Sequence, residues 1–353
     1  MQPNPSNRAT RLAAAVVAGA ILSAGAEAWS QALPNPYRAV DGWAKLPDGR
    51  PMGAVGDVTI DPDREHVWAV VRCDASAPER FGNECLDSDL DPVLKFDLDG
   101  DLVASFGGGM FIWPHGIDVD PEGNVWVTDA VSAERTPQGR RGHQVVKFSS
   151  EGEILMTLGT PGVAGDGPAS FNAPSDVVVA DNGDIFVTDG HGNASNNRVV
   201  KFSGDGTFIK SWGRTGYAPG EFRELHAIAI DSRGRLFIAD RWNNRIQIFD
   251  QDGNFVAIWT QFGRPSGVFF DDEDRIYVAD SESDDEQNPG WEMGIRIGDA
   301  RTGWVDAFIL YPWGDPRSPA GNGAEFVAAD RDGNLYAGEP RPRNLQKYVR
   351  VRP

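Results

Sequence analysis

The chain has 353 residues, with 33 Lys or Arg against 52 Asp or Glu and a formal net charge of −19. So acidic a surface argues against nucleic acid and anionic membranes as partners, because both require basic faces. Much of the acidity lies in Asp-x-x-Gly turns that recur along the chain, so it says little about substrate.

Residues 1–28 carry the parts of a secretory signal: Arg8 and Arg11, an apolar run from Leu12 to Leu22, and a small-residue site at Ala26-Glu27-Ala28. The mature chain is expected to begin near Trp29, as an exported periplasmic or extracellular protein. Removing two Arg and one Glu, a net +1, takes the charge from −19 to −20. The apolar run is too short to span a bilayer, and nothing later resembles a span. Residues 29–353 then suffice for one domain with a well-packed core.

Beyond Tyr37–Trp43, which reads as a strand with no repeat before it, one phrase recurs. An anchor residue opens an alternating apolar strand, Asp-x-x-Gly follows, a second strand ends in Asp, and a third ends in Lys-Phe or Ile-Phe. Alternation and turn residues support strands over helices. The clearest copies run from Pro114 to Asp129, Pro174 to Asp189 and Leu225 to Asp240, with weaker ones at Gly56, Ser266 and Glu325. The anchors are Gly56, His115, Ser175, His226, Ser266 and Glu325, spaced by 59, 60, 51, 40 and 59 residues. Four short strands at such periods predict an all-β, six-bladed β-propeller. Tyr37–Trp43 is expected to pair with the last blade and close the ring, which removes the exposed sheet edges. The fifth blade is the weakest copy, since Arg-Ile-Gly-Asp has lost the motif.

Insertions at 73–91, 130–142 and 281–290 follow the second strand of their blades and should gather on one rim, where loops shape a mouth. Cys73 and Cys85, twelve apart in the first insertion, are expected to pair in an oxidising compartment.

Blades two, four and six of a sixfold ring lie about 120° apart, so His115, His226 and Glu325 should converge on the axis. Two imidazoles and a carboxylate there form a candidate metal site, either zinc with an open position or a non-haem iron triad. Isolated polar residues lining a channel are the bland alternative. A second ring of positions after each second strand offers Arg72, His191 and Arg241. Arg72 can grip a carboxylate with two prongs. His191, flanked by glycines, is a candidate general base. His143 reads as a structural hydrogen-bonder and His66 as a turn residue. No Gly-x-Ser-x-Gly elbow or phosphate loop occurs.

These residues resemble a known family. Pro114 to Asp129 with His-Gln-Val-Val-Lys-Phe, Pro174 to Val177 with Val187 to Gly190, and Leu225 to Ala227 with Ala239 to Arg241 are similar to the NHL-repeat propeller of peptidyl-α-hydroxyglycine α-amidating lyase. The resemblance covers most of residues 43–350. It implies a catalytic zinc held by histidines from alternate blades, with His115 and His226 as two of them and Arg72 as the arginine flanking the substrate. Glu325 stands where the family has its third histidine, and His191 where it has a tyrosine. Phe326 stands in place of the aspartate that binds the family's structural calcium. The implied activity is metal-dependent lysis of a carbinolamide or related α-hydroxy compound, with zinc the first choice and iron or manganese next. The substrate would be a small molecule or peptide, and a closed ring needs no second copy. Rival readings are a lactonase of the gluconolactonase-like propeller type and a non-catalytic NHL binding scaffold.

Overall fold

The computed structural model describes residues 33–73, 84–135, 141–192, 195–318 and 323–351; the expected signal at 1–28 lies outside them. Among the described residues there are six four-stranded antiparallel sheets and no α-helix, so none is long and apolar enough to cross a membrane. The protein is a six-bladed β-propeller. Its innermost strands are Val55–Ile60, Pro114–Val119, Pro174–Val179, Leu225–Ile230, Pro265–Phe270 and Phe326–Ala329, each packed against the next around the ring. Blade five is complete despite its degenerate motif: Gly294–Asp299 and Val305–Leu310 pair in full register apart from one bulge. Pairing of this blade rests on the apolar alternation of Ile295 and Ile297, which are buried, and the lost turn phrase is dispensable.

Closure follows the expected route. Tyr37–Val40 pairs antiparallel with Asn344–Arg350, so the outermost strand of blade six comes from the other end of the propeller.

The recurrent aspartates have two jobs. The turn aspartate binds an aromatic of the second strand and, in two blades, a lysine of the third. Asp61 accepts from Trp68 at 2.8 Å and pairs with Lys95 at 2.7 Å, while Asp120 does the same with Trp126 at 3.0 Å and Lys147 at 2.9 Å. The aspartate ending the second strand instead pins the segment entering the innermost strand. Asp129 accepts from the Ile112 and Trp113 amides at 2.8 and 2.9 Å, Asp189 from Asn172, Asp240 from Arg223 and Asp280 from Arg264. Hydrogen bonds to a charged acceptor contribute about 1.5–3 kcal/mol each, so the motif fixes the chain just before the anchors of blades two to five.

The anchors of blades one to five sit at an irregularity. In blades one, three and five the register jumps across it, from Val55 to Asp57, Pro174 to Asp176 and Pro265 to Gly267; in blades two and four it jumps from Pro114 to Ile117 and from Leu225 to Ile228. A bulge re-aims a side chain that regular pleating would direct elsewhere. Space is also cleared: a Cβ on Gly267 would lie 2.6 Å from the Phe326 Cα, and one on Gly56 would lie 2.9 Å from the His115 carbonyl oxygen.

The three insertions fall between the second and third strands of blades one, two and five, as expected. Cys73 and Cys85 form a disulfide, compatible with an oxidising compartment.

Candidate functional site

His115 and His226 are fully buried anchors of blades two and four. Each Nδ1 faces the backbone carbonyl of the next blade's anchor: His115 lies 2.8 Å from Ser175 O, and His226 3.1 Å from Ser266 O. A carbonyl only accepts, so each Nδ1 carries the proton and each Nε2 keeps a free lone pair. His191 enters from the rim of blade three, its ring centroid 4.7 Å from that of His115 and 5.2 Å from that of His226. Ligand atoms of the three imidazoles lie within 4.8 Å of one another. All three Nε2 atoms are buried without a hydrogen-bond partner, and a buried polar atom left unmade costs about 1–3 kcal/mol. Burial, then the neighbouring imidazoles for His115 and His191 and Arg241 for His226, holds all three rings well below the usual imidazole range, and Glu325 pulls His115 the other way. They are therefore neutral, the state that binds a metal.

Glu325 does approach the axis, just before the innermost strand of blade six. Its Oε1 is 3.6 Å from His226 Nε2, and its Oε2 accepts from Arg72 Nη2 at 3.3 Å. Arg241 Nη1 stands 3.8 Å from the same carboxylate. Glu325 thus lies beside the His226 anchor and Arg72 beside Glu325, while the cluster of ligand-type atoms has His191 with His115 and His226. His143 accepts from the Ala173 amide at 3.3 Å, and His66 pairs with Asp63 at 2.6 Å, both away from the axis. Phe326 lies against His226 and His115, with centroids 5.3 and 5.7 Å apart, and sets an apolar ring beside the two anchors.

Several groups here carry no clear mark in the sequence. Trp113 packs edge-on against His191, at 4.7 Å between centroids, and covers the Arg72 guanidinium at 4.5 Å. Glu224, two residues before the His226 anchor, has a left-handed backbone at φ 56° and pairs with Arg241. Its Oε1 lies 3.7 Å from His191 Nε2, its Oε2 has no hydrogen-bond partner, and burial raises its pKa against the pull of Arg241. Arg264 and Arg241 both reach Glu282 at 3.4 Å. The only signal for this set is the regular offset of Arg241 from the second strand's terminal Asp240. Three arginines thus face three glutamates, yet the Nε atoms of Arg72 and Arg241 remain buried without acceptors. Unclaimed guanidinium donors beside open imidazole nitrogens suit a metal-bound substrate bearing a carboxylate.

Two cavities lie elsewhere. One of about 150 Å³ is lined by Asp57, Asp118, Asp176 and Phe326 in the channel. A groove of about 520 Å³ between Leu33, Trp291 and Trp304 shares no residue with the imidazole cluster.

Fold and site together define a six-bladed propeller with an axial imidazole cluster. A family model described as a 6-bladed beta-propeller matches residues 169–256. NHL repeat-containing protein 3 of Homo sapiens is 39% identical over 154 residues, 42% of this chain and 42% of that protein. A probable peptidyl-alpha-hydroxyglycine alpha-amidating lyase of Caenorhabditis elegans is 36% identical over 144 residues, 40% of this chain and 37% of that one. The chain thus spans less than half the length of these curated relatives. A gluconolactonase structure from Xanthomonas campestris superposes with a TM-score of 0.58 over 89% of this chain and 95% of its own, at 16% identity, a likeness of fold alone.

Proposed function

We propose that the protein is a metal-dependent carbon–nitrogen lyase that cleaves a carbinolamide bearing a carboxylate. The observation that carries this reading is the pair of buried anchors, His115 and His226, whose Nδ1 atoms face carbonyls and whose Nε2 atoms have no partner. Those two imidazoles would hold the ion. When bound, a zinc-like cation would act as a Lewis acid toward a substrate oxygen. The partial match to an amidating lyase supports the substrate class.

The chain's own groups supply the rest. Arg72 offers its free Nε, and Arg241 its own, to the substrate carboxylate, while Trp113 stacks on the Arg72 guanidinium. Glu224 Oε2, the acceptor left open at the site, takes the hydroxyl proton. The carbon–oxygen bond becomes a carbonyl as the carbon–nitrogen bond breaks, and nitrogen receives a proton. An N-acyl-α-hydroxyglycine would therefore yield the acyl amide and glyoxylate. The signal-like N-terminus and the disulfide support action outside the cytoplasm.

The test is to incubate the zinc-loaded protein with N-benzoyl-α-hydroxyglycine and follow benzamide and glyoxylate. The expected outcome is stoichiometric release of both, reduced at least about 100-fold in His226→Ala. Hydrolysis of an aldonolactone with no glyoxylate release would replace this reading with a lactonase.

A further inference from the structure

We infer that the metal centre is completed by His191, giving a three-imidazole site from the consecutive blades two, three and four, while Glu325 stays outside it as the partner of Arg72. This rests on the metal-dependent reading above but assigns a different third ligand from the one that alternate-blade symmetry suggests.

Four observations lead there. The group of ligand-type atoms within 4.8 Å of one another contains His115, His191 and His226 and no carboxylate. All three Nε2 atoms lack a partner, so none would forfeit an existing hydrogen bond on binding an ion. The Glu325 carboxylate is engaged: Arg72 donates to Oε2 at 3.3 Å, and Oε1 faces Arg241 at 3.8 Å. Coordination through Oε2 would strip Arg72 of its acceptor. Finally, His191 enters the cluster from a loop rather than a strand, its amide donating to Ala173 O at 3.0 Å. Gly192 has φ +86° with nothing within 4 Å of where a Cβ would stand. Nitrogens on a tetrahedral zinc stand about 3.4 Å apart, so loading would draw ligand atoms that now lie within 4.8 Å of one another together by up to about 1.4 Å.

Ligand identity alters the chemistry. Three neutral imidazoles leave the ion its full double charge, whereas a carboxylate ligand would cancel one unit. A nitrogen-only set favours zinc or cobalt over calcium, which prefers oxygen. The positive centre then faces Arg72 and Arg241, whose charges Glu325 and Glu224 offset, so an anionic substrate enters without a large excess of positive charge.

Cobalt(II) and zinc titrations of chelator-treated protein decide the matter, read as ions bound per chain and as the cobalt d–d absorption band. Wild type should bind one ion with the intense band of a four-coordinate site. His191→Ala should weaken binding by more than about 100-fold, beyond what loss of an orienting partner causes. Glu325→Gln should keep the band and stay within about tenfold of wild type. Because His191→Ala could perturb the rim, His191→Gln and thermal melts of each variant accompany it. Retention of the ion at full affinity in folded His191→Ala and His191→Gln, loss of it in Glu325→Gln, or absence of binding in wild type would each overturn the assignment. Binding as expected without glyoxylate release would instead leave the site standing and remove the lyase reading.

Discussion

Asp118 shows how a single buried group sets a pH response here. Burial lifts its carboxyl to about 6, against the lowering effect of the Val179 amide, which donates to it from the next blade at 3.1 Å. The folded chain therefore holds a proton that the unfolded chain releases near 3.8. Its contribution is complete below that value and is lost as pH rises through about 6. The buried imidazoles of His115, His191 and His226 work in the opposite sense. The unfolded chain takes up protons below about 6.5 that the folded chain refuses, so their effect lowers stability as pH falls. Asp118→Asn keeps an oxygen for the Val179 amide and removes the titration. Its melting temperature, measured from pH 4 to pH 8, should fall below wild type at pH 4 and equal or exceed it at pH 8. An equal loss at both ends would show that charge at Asp118 is irrelevant.

At the level of elements, the first insertion does more than decorate the rim. Arg72 directly precedes Cys73, and the amide of Cys85 donates to Ile112 O at 3.0 Å, one residue before Trp113. Leu86 packs against the cluster of Ile112, Trp113, Ala130 and Val131. The disulfide thereby ties the strand end bearing Arg72 to the segment bearing the indole that covers it. Replacing both cysteines by serine should cost about 3 kcal/mol in chemical denaturation, as expected for a bridge between cysteines 12 apart. Metal content should not change, while KM for a carboxylate substrate should rise more than kcat falls. A variant equal to wild type in KM would confine the disulfide to stability. The blades themselves were legible in the sequence because each strand alternates and each turn repeats. Bulging at the anchors keeps the anchor residues aimed inward, so reading along the apolar strand placed His115, His226 and Glu325 together. His191 was visible as a residue, but its entry into the imidazole cluster was not. Its place after the second strand follows the repeat, as for Arg72 and Arg241, but how far its ring reaches toward the axis depends on the path of the rim. Glu224 was hidden for a related reason: its pairing with Arg241, 17 residues on, follows from a left-handed turn that no composition rule announces.

For the whole molecule, stability depends on blade six, where strands from both ends of the propeller lie side by side. Gln346 Nε2 donates to Val40 O at 2.9 Å, and the Phe308 amide of the neighbouring blade five donates to Pro34 O at 3.0 Å. Removing residues up to Val40 would bare the edge of Asn344–Arg350, an open row of donors and acceptors. Size-exclusion chromatography of that truncation should show dimers or larger species and a lowered melting temperature. A stable monomer would mean that the remaining blades close without it.

The Val351 amide meets Pro36 O at 2.8 Å, so the propeller has its beginning and its finish at one address. In terms of covalent connectivity, the ring has no privileged cut. A short peptide could join the two ends and a break could be opened in another inter-blade turn, leaving the imidazole cluster where it is. The position of the gap in the polypeptide is then a matter of how the chain is made, while the arrangement around the axis is a matter of the closed circle.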